Sequence, residues 1–341
     1  MISAGKARGA GRLPGNTAER FPGYSDIGDA AALPAAPVAS IIVATYRHEN
    51  VLEQCIDSLA GQVTDFPFEI LIAEDGSPDE TRNVALALQR KYPHCVRVVF
   101  TPENKGATLN SIFAASLCRG EFIGSCDGDD FWVDTGKLAR QVAALRSLPD
   151  VDMAFTRGYR LYTDGARVLD WSYGEEARVV AMRELFSGHG WTAPTASLLL
   201  RADVLHGLPP WFPDMPAGDV VLVLAGSSRG GAYYDPAPTI CYRVNHAHSF
   251  SVELEQSDAP ERMRFYRRAI ELYERACAFY GAPVAHVSHR MNDYRLSLAK
   301  LQLRTRRPFA AVRTLASIGP SFFAAAALRK LSRSRVSRDA G

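Results

Sequence analysis

From Val38 onward the chain alternates short, β-branched apolar runs with longer segments of helical period, and few folds accept that order. The runs are Ala39 to Ala44, Phe68 to Ala73, Val96 to Phe100 and Glu121 to Ser125. Their length and continuous apolar character predict strands covered on both faces. Between them Glu49 to Leu59, Asp79 to Tyr92 and Ala107 to Leu117 carry apolar residues three and four apart, the spacing of amphipathic helices, with Asp79 placed to cap the second. A βαβαβαβ succession requires right-handed crossovers, so the expected class is α/β: a mostly parallel sheet with helices on both faces. In such sheets ligands bind beyond the carboxyl ends of the strands.

Charge narrows the function classes. The 39 Lys and Arg against 37 Asp and Glu leave a net of +2, which argues against a general nucleic-acid binder. Between Arg304 and Gly341 nine basic residues face one acid, a surplus of eight, so the remainder sums to about −6. Six scattered cysteines without a C-x-x-C pair argue against a zinc site or a disulfide framework. No run approaches the roughly 18 to 20 apolar residues of a membrane span, and the expectation is a soluble, cytoplasmic chain. Residues 1 to 36, rich in Ala, Gly and Pro, are expected to be disordered.

The segments after the four strands concentrate polar chemistry. They read Thr45-Tyr46-Arg47-His48-Glu49, Glu74-Asp75-Gly76-Ser77, Thr101-Pro102-Glu103-Asn104-Lys105-Gly106 and Cys126-Asp127-Gly128-Asp129-Asp130-Phe131-Trp132. Asp127 and Asp129, one small residue apart at a buried strand end, suit a hard divalent cation whose shell is completed by substrate phosphates. A calcium-loop reading fails, because position five is Phe131 and the twelfth place lacks Glu. Asp75 is either an acceptor for a ribose hydroxyl or base N–H, or the first residue of an Asp-Gly-Ser turn. Lys105-Gly106 either brings a cation and close backbone approach to a phosphate or base, or forms a helix-start loop with Asn104 as cap. A P-loop and the G-x-G-x-x-G fingerprint are both missing.

In their order and spacing these motifs, over residues 38 to 250, resemble the family 2 glycosyltransferases of the GT-A fold. The resemblance implies a GT-A domain over 37–255, with a nucleotide-binding half at 37–135 and an acceptor half at 136–255. It implies that Thr45, Tyr46, Asp75 and Lys105 bind the donor, that Asp127 approaches ribose and metal, and that Asp129 is the principal ligand of Mg²⁺ or Mn²⁺, with Asp130 supporting them. In the second half, Gly190-Trp191-Thr192-Ala193-Pro194-Thr195 precedes an apolar run ending at Leu200-Arg201, and Ala217-Gly218-Asp219 opens a helix. Asp219 is the implied catalytic base, the alternative being a carboxylate favoured by a helix N-terminus. Arg243, with His246 or His248, is the implied diphosphate contact. Departures are Glu74 where Asp is common, Arg47-His48 where Asn is common, and the extra Asn245.

The implied reaction is inverting, non-processive transfer from a nucleotide-diphospho-sugar, with UDP the expected nucleotide. The acceptor is the hydroxyl of a saccharide, lipid-linked saccharide or similar molecule, in cell-surface polysaccharide or glycoconjugate synthesis. A processive synthase is disfavoured because a Q-x-x-R-W element is missing. The competing readings are a sugar nucleotidyltransferase, whose Gly-rich first loop is missing, and a catalytically silent donor-binding or scaffold protein. Residues 256–341 are expected to add a helical extension with a basic tail. Apolar periodicity from Glu261 to Arg304 predicts two helices, and the Phe-, Ala-, Leu- and Arg-bearing stretch Phe309 to Leu331 suits either a docked terminal helix or peripheral contact with an anionic membrane at the inner face.

Overall fold

A computed structural model describes residues 21, 23–186, 193–244 and 249–318, with backbone only at 251 and 284–289. These residues fall into two compact units: the first takes in those up to Leu185 and from 193 to Glu253, and the second takes in Phe186 and those from Leu254 onward.

The first unit opens with β1 (Ser25–Ile27), followed by β2 (Ala39–Thr45), α1 (Leu52–Ala60), β3 (Phe68–Glu74), α2 (Thr81–Lys91), β4 (Val96–Phe100), α3 (Ala107–Leu117) and β5 (Phe122–Ser125). β4, β3, β2 and β5 lie side by side in that order and run parallel. Register sets Thr45 opposite Glu74 and Ile42 opposite Ser125, so the strands open their carboxyl ends along one edge. Alternate residues Ile41, Val43, Ile70, Ile72, Val96 and Val98 share a core with Leu52 and Ile56 of α1 and Leu88 of α2. The intervening Ile42, Leu71 and Val99 are buried as well, with α3 packed against β2 and β3. Burial of both alternating sets is why the runs are continuously apolar.

The chain then forms β6 (Phe131–Trp132), α4 (Lys137–Ser147), β7 (Met153–Leu161), β8 (Arg167–Asp170), β9 (Arg178–Val180) and α5 (Met182–Leu185). After these come β10 (Leu199–Arg201), α6 (Ala202–His206), α7 (Asp219–Ser227) and the twelve-residue β11 (Ala232–Arg243). Short β10 is antiparallel to both β5 and β7, joining the parallel half to the rest of the sheet. β11 runs parallel to β7 and antiparallel to β6 and β9. α8 (Phe250–Gln256) leads into the second unit, where α9 (Ala259–Tyr280) and α10 (Val284–Arg304) pack together and α11 (Pro308–Ala316) packs on α10.

The expected disorder of residues 1–36 is corrected over its described part. Phe21 is 1% exposed and stacks on Phe113 of α3 at 4.2 Å, while β1 pairs with β4. One aromatic anchor and an otherwise open strand edge order a segment whose composition alone argues against it. Asp79 Oδ1 accepts from the Thr81 N–H at 3.2 Å, but the cap position itself falls on Glu80.

Candidate active site

The strand ends are held as one assembly by main-chain bonds. Gly128 N–H donates to the Ala44 carbonyl at 2.9 Å and Asp75 N–H to the Thr45 carbonyl at 3.1 Å, so the segments after β5 and β3 both hang on the end of β2. Gly128 leaves no room for a side chain, since a Cβ there would lie 2.7 Å from His48 Nδ1 and 2.8 Å from Thr45 Oγ1. Thr45 and His48 are buried and meet each other at 3.2 Å. His48 N–H donates to Thr81 Oγ1, and Arg47 N–H to Ser77 Oγ. Arg47 sits in the left-handed region at φ 59, which Asn tolerates better than most residues.

Asp75 is buried and accepts from the main-chain N–H groups of Lys105 and Gly106, each at 2.8 Å. Burial pushes its carboxyl above the ordinary range despite those two bonds. Gly76, at φ 67, brings its backbone so close to residues 103 and 104 that a Cβ would stand 2.7 Å from the Glu103 carbonyl carbon. Asp75 thus ties together the loops after β3 and β4. It is Lys105's main chain that is fixed here, whereas its ammonium pairs with Glu103 at 3.0 Å. Glu74 is fully buried and binds Arg82 at 2.8 Å, using the longer reach that Asp lacks.

Acidic groups gather beyond β5. Asp127 and Asp129 are half-buried and Asp130 is buried. Burial, then the charges of Asp129 and Asp219, push the Asp127 carboxyl up to about 7. Asp219, first residue of α7, therefore lies within electrostatic reach of the D-x-D pair although 92 positions separate it from Asp127 in sequence. Its Oδ1 is buried without a hydrogen-bond partner. Asp130 accepts from the Arg243 N–H at 2.9 Å, and its carboxyl is raised by burial and by its acidic neighbours. Tyr242 is raised too, by burial and then by the charges of Asp130, Asp129 and Asp127. The Arg243 guanidinium lies 5.0 Å over the Phe131 ring and donates to Gln54.

The half-buried carboxylates of Asp127 and Asp129, one residue apart, are the oxygen donors that could hold a hard divalent cation. Among the described residues no three His, Cys, Asp or Glu side chains are grouped to hold a metal alone. Magnesium bound through one or two carboxylates and substrate phosphates needs no such group. Residues 190–192, His246 and His248 lie outside the described residues.

Sequence reasoning passed over Gln54 and Lys137. Lys137 is fully buried, with Nζ 2.7 Å from Gln141 Oε1 and 3.8 Å from the centre of the Trp132 ring. Trp132 Nε1 donates to the Ala196 carbonyl and Gln141 Nε2 to that of Ser197, so this buried group fastens the segment after Asp130 to residues 196 and 197. A single Lys at the start of an amphipathic helix gives no sign of this.

Residues 40–202 match the family described as Glycosyl transferase family 2. An uncharacterized protein of Mycobacterium tuberculosis is 34% identical over 128 residues, 38% of this chain and 37% of that protein. The chondroitin synthase of Escherichia coli is 37% identical over 105 residues, 30% of this chain and 15% of that one. The matched region thus spans little more than a third of the first relative and less of the second. The crystal structure of S. aureus TarS 1-349 in complex with UDP-GlcNAc covers 82% of this chain and 90% of its own, with TM-score 0.51 and 16% identity. The mannosyltransferase PcManGT of Pyrobaculum calidifontis, in complex with GDP-Man and Mn²⁺, covers 88% and 81%, with TM-score 0.53 and 17% identity. These structural likenesses are of fold, and that fold is GT-A.

Proposed function

The chain carries a glycosyltransferase family 2 domain, and from that premise we propose an inverting, non-processive transferase that moves a sugar from a nucleotide-diphospho-sugar to a hydroxyl acceptor. The observation that carries this reading is the convergence of Asp219, with its unpartnered Oδ1, on Asp127 and Asp129. Asp219 Oδ1 takes the proton of the acceptor hydroxyl as its oxygen attacks the anomeric carbon. The opposite face of that carbon loses the nucleoside diphosphate, so one base suffices and no covalent enzyme intermediate forms. Asp127 and Asp129 would hold a divalent cation, which would supply charge neutralisation for the departing diphosphate. Thr45, Tyr46 and Asp75 line the nucleoside side, Lys105 main chain fixes the adjoining loop, and Arg243 with either His246 or His248 serves the diphosphate.

UDP is the proposed nucleotide, and Mg²⁺ or Mn²⁺ the proposed cation. The UDP-GlcNAc and GDP-Man complexes of the two structural neighbours support a nucleotide-sugar donor. Similarity to a chondroitin synthase supports a role in polysaccharide or glycoconjugate synthesis; a cell-surface product and a cytoplasmic site of action complete the proposal. Purified protein, Mn²⁺ and a panel of UDP-, GDP- and dTDP-sugars with a saccharide acceptor set test the reading through nucleoside diphosphate release. Asp219→Asn lowers turnover by roughly 10² to 10⁴ while donor binding persists, and Asp129→Ala abolishes the metal-dependent release of nucleoside diphosphate. Unchanged turnover in Asp219→Asn overturns the assignment of the base. Donor binding without turnover on any acceptor favours a silent binding protein.

A further inference from the structure

We propose that the turn after α10 together with α11 is a docking surface for an anionic lipid bilayer. α11 is two-sided. Ala311 is fully buried and Thr314 Oγ1 donates to Gln302 Oε1 of α10 at 2.9 Å, which fixes one side of the helix to its neighbour. The other side carries Phe309 at 90% exposure and Val312 at 64%, beside Leu303 at 53% on the last turn of α10. Arg306, in the left-handed region at φ 57, turns the chain between the two helices. Arg304, Arg306, Arg307 and Arg313 are all exposed around these apolar groups. From residue 294 to 318 the sequence holds Arg295, Lys300 and those four arginines and no acid.

Charge and shape together select the occupant. Isolated apolar side chains standing out beside several guanidinium groups are what an anionic interface accepts: the apolar groups enter the acyl boundary while arginines remain among the headgroups. A protein partner requires a complementary, largely dehydrated patch on the order of 800 Å² per side, and three apolar side chains ringed by four cations do not form one. The sequence from 319 onward keeps the same composition, with Phe322, Phe323, Leu328, Arg329, Lys330 and Leu331.

Sedimentation of the full chain with vesicles of phosphatidylcholine, alone or mixed with phosphatidylglycerol, tests this. The wild-type chain partitions onto the mixed vesicles, not the neutral ones, and loses partitioning as salt screens the headgroups. Arg306→Gln/Arg307→Gln/Arg313→Gln lowers partitioning by roughly 10² or more, and Phe309→Asp/Val312→Asp lowers it at least about tenfold. All five positions are exposed, and unchanged thermal unfolding confirms that the variants fold. Equal partitioning on both vesicles, none on either, or unaltered partitioning of both variants overturns the proposal. So does a vesicle-independent dimer in light scattering that Phe309→Asp dissociates, since the surface then belongs to a second copy.

Discussion

At the scale of single residues the acidic site depends on a glycine with no freedom to change. A methyl group at residue 128 would press on His48 and Thr45 at 2.7 and 2.8 Å, and both neighbours are buried. Gly128→Ala is therefore expected to cost about 1 to 3 kcal/mol of stability and to lower turnover, read from urea unfolding and nucleotide release. A Thr45→Ala change in that background removes the contact at Thr45 Oγ1 and recovers part of the lost stability. Lys137 gives a second prediction. Burial lowers its ammonium to about 7, so native protein releases a proton that the unfolded chain keeps up to the ordinary lysine range. Its contribution to stability is present above about 10.5 and is lost as pH falls through about 7. Urea unfolding should show stability rising from pH 7 to 10, and Lys137→Met should flatten that rise.

Elements are joined by buried side chains that the sequence pattern conceals. Glu69 of β3, fully buried, accepts from Ser40 Oγ of β2 at 2.6 Å, from the Arg119 N–H at 3.0 Å and from Arg119 Nη2 at 2.6 Å. Burial pushes its carboxyl up, but Arg119 and Ser40 more than offset this, and the net shift is downward. Stability from this group is present above the ordinary Glu range and is lost as pH falls below it. Glu69→Gln should cost roughly 2 to 4 kcal/mol at neutral pH, measured by denaturant unfolding, and should shift acid unfolding to higher pH. The alternation of apolar runs made β2 to β5 and their helices legible, because that period depends on neighbours in sequence. Glu69 inside such a run carried no cue, since Arg119 lies 50 positions away. β1 was missed because its order comes from Phe21 meeting Phe113 and from an edge of β4, neither of which composition records. The site divides likewise: Asp127 and Asp129 could be read from their strand end, while the part proposed for Asp219 needed a resemblance to suggest it and folding to bring it near.

For the whole molecule, crowding of acids makes the metal-free protein sensitive to pH in the direction opposite to Glu69. Asp127 is pushed up to about 7, so the native state holds a proton that the unfolded chain gives up near 3.8. Its stabilising contribution is present below about 3.8 and lost as pH rises through about 7. Asp127→Asn is accordingly expected to raise metal-free stability at pH 8 by roughly 1 to 3 kcal/mol, allowing for partial exposure. With Mn²⁺ and UDP present the wild-type protein should gain melting temperature at pH 8 and lose most of that gain at pH 5.5, because protons compete for the same carboxyl. The Asp127→Asn protein should show little gain at either pH, and a full gain would remove Asp127 from the binding site.

The order of the sheet also sets a schedule for synthesis. β5 ends at Ser125, but its outer neighbour β10 begins at Leu199, the base candidate is Asp219, and the main-chain donor to Asp130 belongs to Arg243. A nascent chain that has released residues up to Trp132 thus owns four parallel strands and an acidic loop without its later partners. At roughly 5 to 20 residues per second, the remaining stretch takes on the order of ten seconds to emerge. Through that interval the β5 edge later covered by β10 stays open, and Asp130 gains its main-chain donor only when β11 closes the sheet.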